Sequence, residues 1–195
     1  MKQVILLLFG LMVSLNASQG QVKVGDKAPG FSLMNTDYQI VSLSDYKQQD
    51  GVILIFTCNH CPYAKFYEER INQLHRKYAP QSFPVVSINP NDSVKYEVDG
   101  FSYMVKKGYD FPYLLDNKGV YKAYGATKTP HVFLLNNTDE GFRVAYIGAI
   151  DDSPQDADEV EEKYLEAAIE AVQQGKNVNP SLTKAIGCSI KPFVL

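Results

Sequence analysis

Cysteine and histidine are scarce in this 195-residue chain, three of each, and where they stand excludes more than their number does. Beyond Cys58-Asn59-His60-Cys61 there is no second Cys-x-x-Cys and no Cys/His pair at metal-ligand spacing. The remaining cysteine is Cys188, and the remaining histidines are His75 and His131. A closed structural zinc site therefore lacks its ligands. Covalent haem attachment needs histidine directly after the second cysteine, and Pro62 stands there. Basic residues are also few: 19 Lys and Arg against 22 Asp and Glu, a formal charge of −3, leave no electrostatic footprint for nucleic acid. Internal repeats and low-complexity tracts are absent. A chain of this length, 45% apolar, has enough material for one well-buried domain and is short for two.

The first twenty residues read differently from the rest. Lys2, the apolar run Val4 to Val13 and the small or polar stretch Ser14 to Gly20 follow the three-part order of a secretory signal peptide. The run is too short to span a bilayer comfortably, and no cysteine in it offers a lipid anchor. These features predict a signal peptide over residues 1–20 and an exported product over 21–195. That product is a single domain with a tail from about residue 176, periplasmic or extracellular, with no membrane span after cleavage. Removing the leader takes away one lysine and no acid.

The motif Cys58-Asn59-His60-Cys61 follows the apolar run Val52 to Phe56 and opens a helical pattern with Pro62 in its first turn. A helix N-terminus carries orphan N–H groups and partial positive charge, which favour thiolate. Cys58 is accordingly expected to be the more exposed, more acidic, nucleophilic thiol. Cys61 is expected a turn further in, where it can close a disulfide with Cys58. His60, between them, is expected to tune the couple as a protonated or hydrogen-bonding imidazole. Such chemistry needs no dissociable cofactor and no metal.

Strands are expected at Phe31–Met34, Ile40–Leu43, Val52–Phe56, Phe83–Ile88, Tyr113–Leu115, Val132–Leu135 and Val144–Ile147. Helical patterns follow Pro62, cover Ser93–Lys107 more weakly, and run from Asp158 to Gln174, with Gly175 just beyond. Strand and helix alternate, and a hairpin and a helix then close the chain, which implies an α/β layered fold with a mixed sheet.

With Cys-x-x-Cys at a strand-to-helix junction and Thr129-Pro130 leading into His131 to Leu135, the chain resembles the thioredoxin superfamily over about Val24 to Gln174. Within it the chain is similar to the redoxin branch, the AhpC/TSA and envelope thioredoxin-like group, through Val24-Gly25-Asp26-Lys27-Ala28-Pro29-Gly30-Phe31, the insertion around Asn89 to Tyr113, and Tyr146 to Asp152. The resemblance implies a thioredoxin-like fold: a mixed central sheet with helices on both faces, an N-terminal hairpin, and a βα insertion between the Cys-x-x-Cys helix and the proline. It implies a cis Pro130 facing the cysteines, with the backbone of Thr129 available to a substrate peptide. Gly187-Cys188-Ser189-Ile190-Lys191 looks like a tail element of this subgroup, which makes Cys188 a candidate additional redox thiol. Two departures stand out. Val52–Phe56 offers no buried acid beneath the second cysteine, and Ile55 stands where peroxiredoxins carry their peroxide-binding threonine.

The leading expectation is an exported thiol:disulfide oxidoreductase. It would act on protein thiols or disulfides and exchange electrons with an upstream donor or acceptor. The alternatives are a thiol peroxidase with Cys58 as the peroxidatic thiol and a copper(I)-binding module built on Cys58 and Cys61, with or without a histidine.

Overall fold

Apolar runs without polar interruption become the central strands, and they decide where the cysteines are delivered. The computed structural model describes residues 21–193; the expected signal peptide over residues 1–20 lies outside the described residues. Strands β1 (Ser32–Asn35) and β2 (Ile40–Ser42) pair antiparallel as the N-terminal hairpin. There follow β3 (Gly51–Phe56), α1 (Pro62–Tyr78), β4 (Val85–Asn89), α2 (Phe101–Val105), β5 (Tyr113–Leu115), α3 (Val120–Tyr124), β6 (Lys128–Thr129), β7 (His131–Thr138), β8 (Gly141–Gly148), α4 (Tyr164–Gln173) and β9 (Cys188–Ser189). Seven strands form one mixed sheet in the order β2-β1-β5-β4-β3-β7-β8, and β6 pairs with β9 in a small ladder of its own. Among the described residues no helix is long and apolar enough to cross a membrane.

Strand β3 is buried along its whole length, as a strand covered on both faces must be. Its alternation splits the core in two. Val52, Leu54 and Phe56 join Phe31, Leu33, Val86, Tyr124 and Phe133 on one face. Ile53 and Ile55 join Tyr67, Ile71 and Tyr78 of α1 and Leu165 and Ile169 of α4 on the other. Each such side chain contributes roughly 1.5–3 kcal/mol by leaving water, so the end of β3 is a rigid platform. Its register places Ile53 beside Val85 on the parallel neighbour β4 and Phe56 opposite His131 on the antiparallel neighbour β7. The residues that follow Phe56 therefore emerge next to those that precede His131, and Cys58 meets Thr129.

Two helices are shorter than their sequence patterns. The pattern over Ser93–Lys107 breaks into a 3-10 turn at Glu97–Asp99 and the short α2, separated by an extended Gly100, because Asp99 turns inward to serve as a buried acceptor. The acids from Asp156 to Glu162 precede α4 and do not open it. Asp156 accepts the Asp158 N–H through its side chain, a local turn that competes with helix, and Asp152 accepts the Glu161 N–H from nine residues away.

A candidate redox site of three cysteines

The first residue of α1 is Pro62, so Cys61 is the residue that caps the helix, in extended conformation, and Cys58 lies in the loop before it. Thr129–Pro130 is cis. Thr129 is fully buried, with its hydroxyl accepting from the Cys58 thiol at 3.3 Å and its carbonyl oxygen 3.2 Å from Cys61 Sγ. One residue of the proline turn thus holds both sulfurs of the motif. Cys58, Cys61 and Ala64 form a small buried cluster against which Tyr63 and Cys188 pack.

The disulfide is Cys61–Cys188, and Cys58 is the free thiol, in place of the expected Cys58–Cys61 pairing. The reason lies in the tail. After α4 the chain runs along the end of β8, where Thr183 donates its N–H to Ile147 O at 3.0 Å and its hydroxyl contacts Tyr146 OH. It then crosses to the proline turn. Cys188 and Ser189 form β9 antiparallel to Lys128–Thr129, with Thr129 opposite Cys188. The Ile190 N–H donates to Thr127 O at 3.2 Å, and the Asp92 N–H to Lys191 O at 2.7 Å, while the Lys191 N–H reaches Asn91 Oδ1 at 2.9 Å. Gly187 passes so close that a Cβ there would lie 2.3 Å from Thr129 O. The Thr129 backbone, expected to be open to a substrate peptide, is occupied by the chain's own end.

This cover changes the thiol. Cys58 is 3% exposed and Cys61 fully buried, so Cys58 is the more exposed of the two, as expected, but only marginally, and both are covered. Burial pushes the Cys58 thiol up; the Thr129 hydroxyl opposes this, the charge of Asp99 adds to it, and the N–H groups of Cys61 and His60 oppose it.

Asp99 is the residue that sequence reasoning missed. It is fully buried and accepts from the Asn59 N–H at 2.8 Å, Asn91 Nδ2 at 2.9 Å and His60 Nδ1 at 2.7 Å, the satisfaction a buried carboxylate needs. A buried acid thus reaches the motif from the insertion, not from β3. On its other edge the His60 ring meets the tail: Lys191 Nζ lies 2.5 Å from Nε2. An ammonium can only donate, so Nε2 accepts and Nδ1 carries the proton given to Asp99. Held this way, the imidazole is engaged by Asp99 and Lys191, where a direct bond to the Cys58 thiolate was one expectation. Donor atoms of Cys58, His60 and Asp99 lie within 4.8 Å of one another, but the docked Lys191 places a cation of its own against that trio.

His131 faces Phe133 and accepts the Thr127 N–H at 3.3 Å. Burial pushes its imidazole down to about 4, so it supports the proline turn as a neutral ring.

Known proteins resemble this chain in sequence and in fold. The thiol-disulfide oxidoreductase ResA of Bacillus subtilis (strain 168) is 30% identical over 122 residues, 62% of this chain and 65% of that protein's own length. The structure of an uncharacterized conserved protein from Geobacillus kaustophilus is 34% identical, with a TM-score of 0.82 over 90% of this chain and 95% of that one. A putative thiol:disulfide interchange protein DsbE from Chlorobium tepidum is 26% identical, with a TM-score of 0.59 over 78% of this chain and 99% of that one. The fold is thioredoxin-like. The AhpC/TSA family model matches residues 24–151, a span that takes in the cysteine motif, the buried acid and the proline turn, and by that match the chain belongs to the AhpC/TSA family.

Proposed function

We propose that the protein is an exported thiol:disulfide oxidoreductase. Cys58 attacks a partner disulfide, a mixed disulfide forms, and Cys61 resolves it, releasing the reduced partner. Thr129 and Pro130 position the partner peptide, and an upstream thiol donor restores the reduced state. The observation that carries this reading is the contact of both motif sulfurs with Thr129, 3.3 and 3.2 Å away. Nucleophile and resolving sulfur are thereby held beside a backbone edge that an extended segment can pair with, as the chain's own Cys188–Ser189 does. In the thiolate state the same hydroxyl can rotate and donate to Cys58. The relatives named thiol-disulfide oxidoreductase support the reaction class. Export rests on the order of charged, apolar and small residues in the leader. Peroxide reduction, the alternative activity, is disfavoured by Ile55: its side chain belongs to the core with Ile53 and Tyr67 and offers no hydroxyl.

The test compares two single-turnover reactions of the reduced protein, one with an oxidised protein substrate and one with hydrogen peroxide. Rapid disulfide reduction is expected, lost in Cys58→Ser, with a mixed disulfide through Cys58 accumulating when Cys61 and Cys188 are both replaced by serine. Fast peroxide consumption with sulfenic acid at Cys58, and no reaction with the protein disulfide, would assign the chain to the peroxidases instead.

A further inference from the structure

The tail is attached in a way that a simple structural cross-link does not require. It adds a β-strand to the proline turn, lays a cysteine opposite Thr129, bonds that cysteine to the inner sulfur of the motif, and brings Lys191 onto His60. An extended segment on this edge, joined by a disulfide to the motif, resembles a partner peptide held in a mixed disulfide, with the bond made to the inner Cys61 and not to the attacking Cys58. The third sulfur, Cys58, remains a thiol within the same buried cluster.

We propose that the C-terminal tail is a built-in stand-in for a partner peptide and that Cys188 is a third redox thiol. The Cys61–Cys188 disulfide exchanges internally with Cys58, and the tail must leave its strand before a partner protein can reach the motif. The inference rests on the disulfide-exchange reading above. Its chemistry balances within the chain: Cys58 Sγ attacks Cys61 Sγ, the Cys61–Cys188 bond breaks as the Cys58–Cys61 bond forms, and the proton lost by Cys58 is regained by Cys188. One disulfide is exchanged for another, so no outside oxidant or reductant is consumed. In the reverse direction Cys188 captures Cys61 after a turnover, returns Cys58 to the thiol and closes the tail over the site. The oxidised protein is then stored in a covered form. Undocking opens the Thr129 edge, withdraws the Lys191 ammonium from His60, and frees the Asn91 and Asp92 groups that grip the tail.

Disulfide mapping reads this directly and needs no partner protein. The fully reduced chain is mixed with one equivalent of glutathione disulfide, quenched with acid at intervals, alkylated, and digested for mass spectrometry. The expected course is early Cys58–Cys61 with alkylated Cys188, giving way to Cys61–Cys188 with alkylated Cys58. Cys188→Ser stays at Cys58–Cys61. Cys188 that remains alkylated throughout in the wild type overturns the relay. So does a Cys61–Cys188 bond that forms without any Cys58–Cys61 species before it and forms equally fast in Cys58→Ser, since that is a static cross-link. A second arm measures cover: the oxidised proteins react with a reduced protein dithiol. The wild type is expected to react about tenfold more slowly than Cys188→Ser, because a tethered segment competes at an effective concentration on the order of 1 mM. Equal rates refute the plug. Disulfide reduction that survives Cys58→Ser removes the functional reading and leaves the mapping result standing, so the two failures are distinguishable.

Discussion

Replacing Asp99 with asparagine should move stability and thiol acidity in opposite directions, which a merely structural acid would not do. The carboxylate accepts three hydrogen bonds in a fully buried position, from Asn59, Asn91 and His60. Hydrogen bonds to a charged group are worth about 1.5–3 kcal/mol each. Asparagine keeps one acceptor oxygen and turns an NH₂ toward a former donor, so one or two bonds are lost, a destabilisation of about 2–4 kcal/mol. In a domain of this size that lowers the melting temperature by roughly 5–15 °C. The same charge is one of the causes holding the Cys58 thiol up, and without it the thiol becomes more acidic. Urea unfolding gives the first quantity, and the pH dependence of iodoacetamide alkylation of Cys58 in the reduced protein gives the second. An Asp99→Asn variant whose Cys58 titrates at the same pH as the wild type or higher, while stability falls as expected, would refute the electrostatic part of the argument.

His131 predicts acid sensitivity. Its folded value is lowered to about 4 by burial, so the neutral ring contributes stability that is fully present above the ordinary histidine range near pH 6.5. That contribution is lost as pH falls toward 4, to a total of roughly 3 kcal/mol. His131→Gln should flatten that part of the stability profile measured by denaturant titration at each pH; an unchanged slope between pH 6.5 and 4 would exclude His131 as its source. On the opposite side of the sheet, the Tyr67 hydroxyl donates to buried Asp151 at 2.7 Å, beside the Arg70 contact at 2.7 Å. Tyr67→Phe should cost about 1–3 kcal/mol in the same assay, with no change in Cys58 alkylation; a neutral variant would show that Arg70 alone satisfies the carboxylate.

The parts of the fold that could be read from sequence are those fixed by local pattern. The unbroken run Val52–Phe56 announces a strand covered on both faces, and β3 is one. The turn at Asn136 to Gly141 announces the β7–β8 hairpin, and the spacing of Tyr67, Ile71 and Tyr78 announces the buried face of α1. Cys58, Cys61, His60, Thr129, Pro130 and Cys188 do converge. Their pairing was not legible, because three cysteines allow three pairings and nothing local ranks them. The choice is made by β9, a two-residue strand whose partner lies about sixty residues earlier. Asp99 was invisible for a similar reason: an acid ahead of a glycine in a polar stretch reads as a solvated turn until Asn59, His60 and Asn91 are folded around it.

If partner peptides dock on the covered edge as proposed, the approach of Gly187 predicts a filter there. Its backbone approaches so closely that any Cβ would lie 2.3 Å from the carbonyl oxygen of Thr129 and 2.7 Å from its carbon, distances at which something must give, and both obstacles are main chain. A foreign segment laid along the same edge in the same register meets the same carbonyl, whatever its other residues are. Glycine immediately before the reacting cysteine passes; alanine already forces the strand to lift, and a β-branched residue forces it further. Peptide panels that vary only the residue before cysteine would therefore be sorted by bulk at that one place, without any side chain of the protein being needed to read them.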